Sequence, residues 1–473
     1  MNLDKLKNYV ESFWAEEAIP SLSEFIKIPS KNAAFDINWE SNKYLESAAN
    51  LIGDWIRKQQ LPETKVEVLA LPGKTPFLYA EILGAAKSSG TVLLYGHLDK
   101  MPESEGWSDG YGPWQPVLDK DRLYGRGASD NGGAIFIMLA ALKALSQQAI
   151  PHAKCVFLFE CGEENGSPDF LDYIETLKEK IGTPDLVVCL DSGGDDFEHL
   201  WITNSIRGSI VATLNVAMLQ QSVHSGLFGG TVASVSRIVR QLLARIENET
   251  TGEILLPELN VKIPPECELA LKAAAKILGD DIGKSIPLLP DCSAISSDPE
   301  TLLHKQTWGP SMEVIGINGL PPIEQAGNVL IPHLSLQLNL RLPPTASTKE
   351  AITALKKLLE NNPPYGAKVS FSVVGKTRGW VMPETDLWLK QVLSDAAEQF
   401  FNYPVVYRGI GGSVETMAVF ADKFAKAQFV VMGTNCAGAN MHGPDEFLHL
   451  PTAKKLSCTL AQILAAHYKA SVD

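Results

Sequence analysis

The stretch TVLLYGHLDKMP, running from Thr91 to Pro102, decides how the chain is read. Five residues, Thr91 to Tyr95, have the apolar and β-branched character of a buried strand, and the run then breaks at Gly96 to present His97 and Asp99. In open α/β sheets, reactive groups gather just beyond the carboxyl ends of strands. Two residues apart on extended backbone, His97 and Asp99 point to one side, where a carboxylate can support an imidazole that binds a metal.

The same arrangement recurs along the chain. FLFECGEENGS ends an apolar strand in the adjacent acids Glu163 and Glu164, VVCLDSGG delivers Asp191, and GRGASDNGG sets Asp130 among glycines before a helix. Far downstream, GANMHGPDE places His442 among small residues after the last apolar strand. Each piece alone has an ordinary reading: a hydrogen-bonded loop histidine, a solvated acidic turn. GRGASDNGG lacks the lysine of a phosphate-binding loop and the register of a dinucleotide site. Together, two histidines and several acids at strand ends form a donor set without thiolates, which suits Zn²⁺ or Mn²⁺ and, for hydrolysis, a pair of such ions. One acid must then stay off the metals to take a proton from the water between them, and the Glu163–Glu164 pair offers one of each. His152, His199, His304, His333, His449 and His467 lie in no comparable cluster and are assigned no ligand role.

Around these points strands and helices alternate, predicting an α/β sheet: strands at 66–71, 77–83, 92–95, 155–160 and 186–190, and helices at 133–148 and 167–181. Ser167 followed by Pro168 predicts a helix N-cap with proline at N1. Residues near 204 to 375 form their own α+β series, after which the first pattern resumes. The expected organisation is a catalytic domain over 1–204 and 377–473 interrupted by an inserted domain over 205–376. The Pro-rich stretch 253–310 yields no assignment.

Composition agrees with a folded, multidomain protein. The 473 residues carry 45% hydrophobic side chains, and 41 Lys and Arg stand against 55 Asp and Glu, a net charge of −14. That excess of acid argues against a nucleic-acid partner. Seven cysteines, odd in number and without CxxC spacing, read as reduced core residues, which fits a cytoplasmic protein. The N-terminus is charged every few residues and reads as an amphipathic helix, with neither a signal peptide nor a membrane span.

The set GHLD, GRGASDNGG, GEENGS, LDSG, SVHSGLFGG, NLRL, GIGGS and MHGPDE, in this order, resembles the zinc aminoacylase and carboxypeptidase family of metallopeptidases, particularly its carnosinase-like dipeptidase branch. The resemblance spans essentially the whole chain. It implies a di-metal exopeptidase-type catalytic domain, a mixed sheet flanked by helices, with an inserted α+β lid and dimerisation domain. It implies one metal among His97, Asp130 and Asp191 and a second among Asp130, Glu164 and His442, with Asp99 bracing His97, Glu163 as general base, and a cis peptide after Asp130. His224 in SVHSG would reach a partner subunit's site to stabilise the oxyanion, making the enzyme a homodimer. Arg341 would grip the substrate's C-terminal carboxylate, with Asn328, Gly412 and Ser413 as further substrate contacts. Asp191, where deacylating members tend to carry Glu, favours a dipeptidase over the alternatives, an N-acyl-amino-acid amidohydrolase or a non-catalytic binding protein of the same fold. Many relatives carry lysine at the place of Gly132, and here that lysine is missing.

Overall fold

A computed structural model describes every residue of the chain except 86, 87, 89, 413, 437 and 473. Six strands build its principal sheet: β1 (Lys65–Leu69), β2 (Phe77–Ile82), β3 (Thr91–His97), β4 (Lys154–Glu160), β5 (Leu186–Cys189) and β6 (Gln428–Val431), in the spatial order β1-β2-β4-β3-β5-β6. β4, β3, β5 and β6 run parallel, whereas β1 pairs antiparallel with β2 and β2 antiparallel with β4, so the sheet is mixed. β2, β4 and β5 are buried almost throughout, without polar alternation, as expected of strands covered on both faces.

The helix Gly133–Gln147 has its apolar residues distributed all round and is buried against this sheet. The run Ala128–Gln147 has the length and composition to cross a membrane, yet 94% of its apolar window lies inside the protein, the pattern of a core helix. The C-terminal helix Leu450–Val472 packs on it.

By internal contacts the chain divides into two units. The first comprises Met1–Thr203, Met382–Tyr407 and Val419–Asp473; the second comprises Asn204–Val381 and Arg408–Ala418. The second unit holds a four-stranded antiparallel sheet in the order Ser311–Asn318, His333–Leu342, Gly208–Ala217, Lys368–Thr377. Its two central strands alternate buried with partly exposed residues, so one face supplies the core and the helices Val235–Leu243 and Thr348–Glu360 pack on it.

One local expectation is corrected, and one unassigned stretch takes shape. Ser167 does not cap a helix: its backbone is left-handed at φ 56° and its hydroxyl donates to Glu160 Oε1 at 2.8 Å, while the helix begins at Phe170. The stretch 253–310 contains the helices Pro265–Leu278 and Pro299–Thr307, each opened by a proline of the kind that suggests irregularity in the sequence.

Candidate active site

The parallel strands deliver their side chains to one edge of the sheet. β3 ends at His97, β4 ends at Glu160 with Glu163 and Glu164 just beyond it, and Asp191 follows β5 by two residues. Register explains the convergence: His97 is paired with Glu160 across β3 and β4, and Tyr95 with Cys189 across β3 and β5. Gly96 makes the close approach work. A Cβ there would lie 2.5 Å from Asn131 Oδ1 and 2.6 Å from Phe159 Cε1.

Two triads of ligand-type side chains result, His97–Asp130–Asp191 and Asp130–Glu164–His442, sharing Asp130. His97 Nε2 lies 3.1 Å from Asp130 Oδ1 and 3.5 Å from Asp191 Oδ1. His442 Nε2 lies 2.9 Å from Asp130 Oδ2 and 3.2 Å from Glu164 Oε2. The two oxygens of Asp130 therefore face different imidazoles, the disposition of a bridging carboxylate. The Asp130–Asn131 peptide is cis. Glu163 precedes Glu164 in the chain, interacts electrostatically with Asp191, His97 and Glu164, and belongs to neither triad.

The electrostatics follow from crowding acids in a buried place. Burial opposes charge on Asp130, but hydrogen bonds with His442 and His97 hold it well below the ordinary carboxylate range. Burial would lower both histidines, yet the surrounding carboxylates push His97 well above the usual imidazole range and His442 up to about 10. Burial followed by the charge of Asp191 drives Glu163 well above an ordinary glutamate, and burial with Asp130 raises Glu164 to about 7. The donor set is imidazole and carboxylate only, and Glu164 Oε1 is buried with no hydrogen-bond partner. An excess of carboxylate over imidazole, with an orphaned buried oxygen, fits two divalent cations.

Asp99 has more than one contact. His97 Nδ1 is 3.0 Å from the Asp99 carbonyl and 3.5 Å from its Oδ1, while the carboxylate accepts the backbone N–H of Glu163 (3.2 Å) and of Glu164 (3.0 Å) and the amide of Asn32 (2.8 Å). It ties the His97 strand end to the acidic turn. Asn131 contributes equally: its Oδ1 accepts His97 N–H at 3.2 Å and its amide donates to the Leu190 carbonyl at 2.6 Å. Neither Asn32 nor Asn131 stands out in the sequence, though Asn131 is next to Asp130. Glu160, equally unmarked there, is buried, accepts from Tyr95 and Ser167, and is raised to about 8 by burial.

In the second unit, His224 is exposed, accepts the Gly226 N–H on Nδ1 at 3.1 Å, and pairs in register with Val329. The adjacent Asn328 is exposed, and its carbonyl accepts Ser225 N–H at 2.8 Å, so these two predicted residues are neighbours. Arg341 is half-buried on the strand His333–Leu342, and burial lowers its pKa. Gly412 is exposed with open space at its Cβ position, and Ser413 lies outside the described residues. Of the histidines given no ligand role, His199 is bonded to Asp196 and His467 to Asp185.

Comparison with known proteins adds an independent line. The sequence pattern of the family described as Peptidase family M20/M25/M40 matches residues 93–466. The Cys-Gly metallodipeptidase dug1 of Schizosaccharomyces pombe is 25% identical over 98% of this chain and 99% of its own length. The cysteinylglycine-S-conjugate dipeptidase of Corynebacterium striatum is 24% identical over 80% of this chain and 81% of its own. The crystal structure of human carnosine dipeptidase 1 shares the fold, with a TM-score of 0.75 at 20% identity over 98% of each chain.

Proposed function

The chain belongs to peptidase family M20/M25/M40, and from that premise we propose that it is a metal-dependent dipeptidase, cleaving the peptide bond of dipeptides or similarly small peptides. The observation that carries this reading is the pair of triads sharing Asp130, with Glu163 next to Glu164 in the chain and outside both. Relatives similar along nearly the whole chain, a Cys-Gly metallodipeptidase among them, support the substrate class.

His97, Asp130 and Asp191 hold one divalent ion and Asp130, Glu164 and His442 the other, Zn²⁺ in our reading with Mn²⁺ as the alternative. When bound, the ions supply Lewis acidity toward the scissile carbonyl and toward water. Glu163 accepts the proton of the attacking water and returns it to the leaving amine nitrogen. Because Glu163 lies outside both ligand triads, its carboxylate keeps oxygens free to take and return that proton. Asp99 keeps His97 and the Glu163 turn in fixed relation. His224 donates to the developing oxyanion of a partner subunit in a homodimer, Arg341 pairs with the substrate carboxylate, and Asn328 with the backbone of Gly412 and Ser413 lines the substrate. All seven cysteines are unpaired, which supports a reducing, cytoplasmic setting.

The test is Glu163→Gln. The variant retains both metals, measured by elemental mass spectrometry, and loses more than about a hundredfold in turnover on a dipeptide library. A variant that stays active, or one that loses its metals, sinks the assignment of the base. Hydrolysis of N-acyl amino acids with no cleavage of dipeptides by the wild type identifies a deacylase instead.

A further inference from the structure

Glu446 and Arg126 are among the most deeply buried charged residues of the first unit, at 0% and 1% exposure, and no step proposed above uses either. They meet at 2.8 Å through Arg126 Nη1 and Glu446 Oε2, although 320 positions apart in the chain. What distinguishes the pair is where its remaining bonds go. The Glu446 carboxylate accepts the backbone N–H groups of Gly127 (3.1 Å), Ser129 (3.2 Å) and Asp130 (3.1 Å). Its carbonyl accepts Gly125 N–H at 2.9 Å. Arg126 donates from Nε to the Pro102 carbonyl (3.0 Å) and from Nη2 to the Gly443 carbonyl (2.8 Å) and Ser104 Oγ (3.0 Å). Ser104 Oγ in turn donates to the His442 carbonyl at 3.0 Å.

Every one of those contacts falls on a loop that follows or carries a candidate ligand: residues 102–104 beyond His97, 125–130 leading to Asp130, and 442–446 with His442. These loops make only local turn bonds of their own, such as Ala128 N–H to the Gly125 carbonyl and Gly443 N–H to the Asn440 carbonyl. Ser104, Gly125, Gly127 and His442 all have positive φ, at 57°, 144°, 80° and 64°, and irregular backbone of this kind has no ladder to satisfy its N–H groups. A buried ion pair is by itself a weak source of stability, since desolvation consumes most of the Coulomb attraction. Holding three loops in register is a task such a pair does well, because each charge-assisted bond is short and directional.

We infer that the Arg126–Glu446 pair is a positioning device for the metal centre: it fixes Asp130, the carboxylate shared by both triads, relative to His442 and to the segment beyond His97. The inference rests on the reading of Asp130 as a shared ligand. Displacing Asp130 disturbs both metals at once, whereas loss of any unshared ligand disturbs one.

The experiment strips metal from the full-length wild type, Glu446→Gln, Arg126→Lys and the double variant Arg126→Met/Glu446→Gln, then titrates each with Zn²⁺ and Mn²⁺ against a chelator. Metal-free thermal midpoints are measured alongside. Glu446→Gln weakens binding of both ions by about 10–100-fold, as loss of a group behind a ligand does. kcat falls while KM stays within about twofold, because the substrate's own contacts are untouched. Arg126→Lys, which keeps charge but not the fork, loses less. The double variant removes both charges, so it folds where a single variant strands its partner, and it is still weak for both metals. Folded variants that bind both ions as tightly as the wild type overturn the inference and leave the dipeptidase reading standing. A wild type that binds no divalent ion overturns that reading and this one with it.

Discussion

Gly96→Ala is the most direct probe of how the strand end is built. The added methyl would sit 2.5 Å from Asn131 Oδ1, whereas ordinary contact begins near 3.4 Å, so Asn131 must withdraw by about 0.9 Å. That atom accepts His97 N–H at 3.2 Å, and the withdrawal carries the bond past hydrogen-bonding range. Stranding a buried N–H costs about 1–3 kcal/mol and overpacking against Phe159 about 1–3 kcal/mol more. Reduced freedom of the unfolded chain returns at most about 1 kcal/mol. The net expectation is a loss of about 1–6 kcal/mol, together with roughly a hundredfold in turnover, since a shift near 1 Å at a catalytic group has that effect. Urea unfolding followed by far-UV circular dichroism measures the first and dipeptide kinetics the second. Gly53→Ala is the matched control: its Cβ would meet Leu78 and Val66 at an ordinary 3.4 Å within the helix Tyr44–Lys58, so it stabilises by about 0.5–1 kcal/mol. Wild-type stability and turnover in Gly96→Ala, with the expected gain in Gly53→Ala, would refute the claim that the absent side chain sets the Asn131–His97 contact.

Other expectations concern charge, metal and assembly. Glu81 receives Lys65, Lys154 and Tyr79, which outweigh the cost of its burial and bring its pKa down to about 2. With the folded value below the unfolded one, its contribution is whole above about pH 4.5 and disappears as pH falls toward 2; Glu81→Gln flattens this limb of the stability curve by about 2 kcal/mol, allowing for screening of the partly exposed lysines. Chelation lowers the thermal midpoint and added Zn²⁺ or Mn²⁺ restores it, each site contributing about 2.7 kcal/mol when the ion is at a hundred times its Kd; an unchanged midpoint with measured metal release argues against a folded-state site. Mixing Glu163→Gln with His224→Ala under subunit exchange recovers activity, because about half of randomly paired dimers carry one site with both parts intact. Absence of recovery despite demonstrated exchange assigns His224 to its own chain or to no catalytic role.

The strand-end residues are legible in the sequence because they break a local rule: a glycine, a histidine or an acid stands where an apolar run should continue. That signal lies within a dozen residues and needs no partner. Asn32 carries no such mark, and Arg126 and Glu446, though inside the GRGASDNGG and MHGPDE motifs, show no sign of their pairing, since these roles arise only when segments 67 to 320 positions apart close on one another. Ser167 misleads for a related reason. Its hydroxyl has two outlets, a local backbone N–H and the distant Glu160 carboxylate, and the buried acid wins. The helix Pro265–Leu278 is hidden because dense proline looks irregular, whereas one of those prolines simply occupies the first turn.

The first unit is assembled from three separate stretches of chain, and this sets a schedule for synthesis. β5 emerges with its outer edge bare, and the strand that covers it, β6, follows roughly 240 residues later, on the order of 12–50 s at ribosomal rates of 5–20 residues per second. Over that interval the nascent sheet offers an unpaired parallel edge and lacks the helix Leu450–Val472 that covers Gly133–Gln147. His442 arrives after β6, so a chain still on the ribosome can present one triad and not the other. Truncation before Gln428 therefore leaves a sticky, half-liganded intermediate, a natural client for chaperones that shield strand edges.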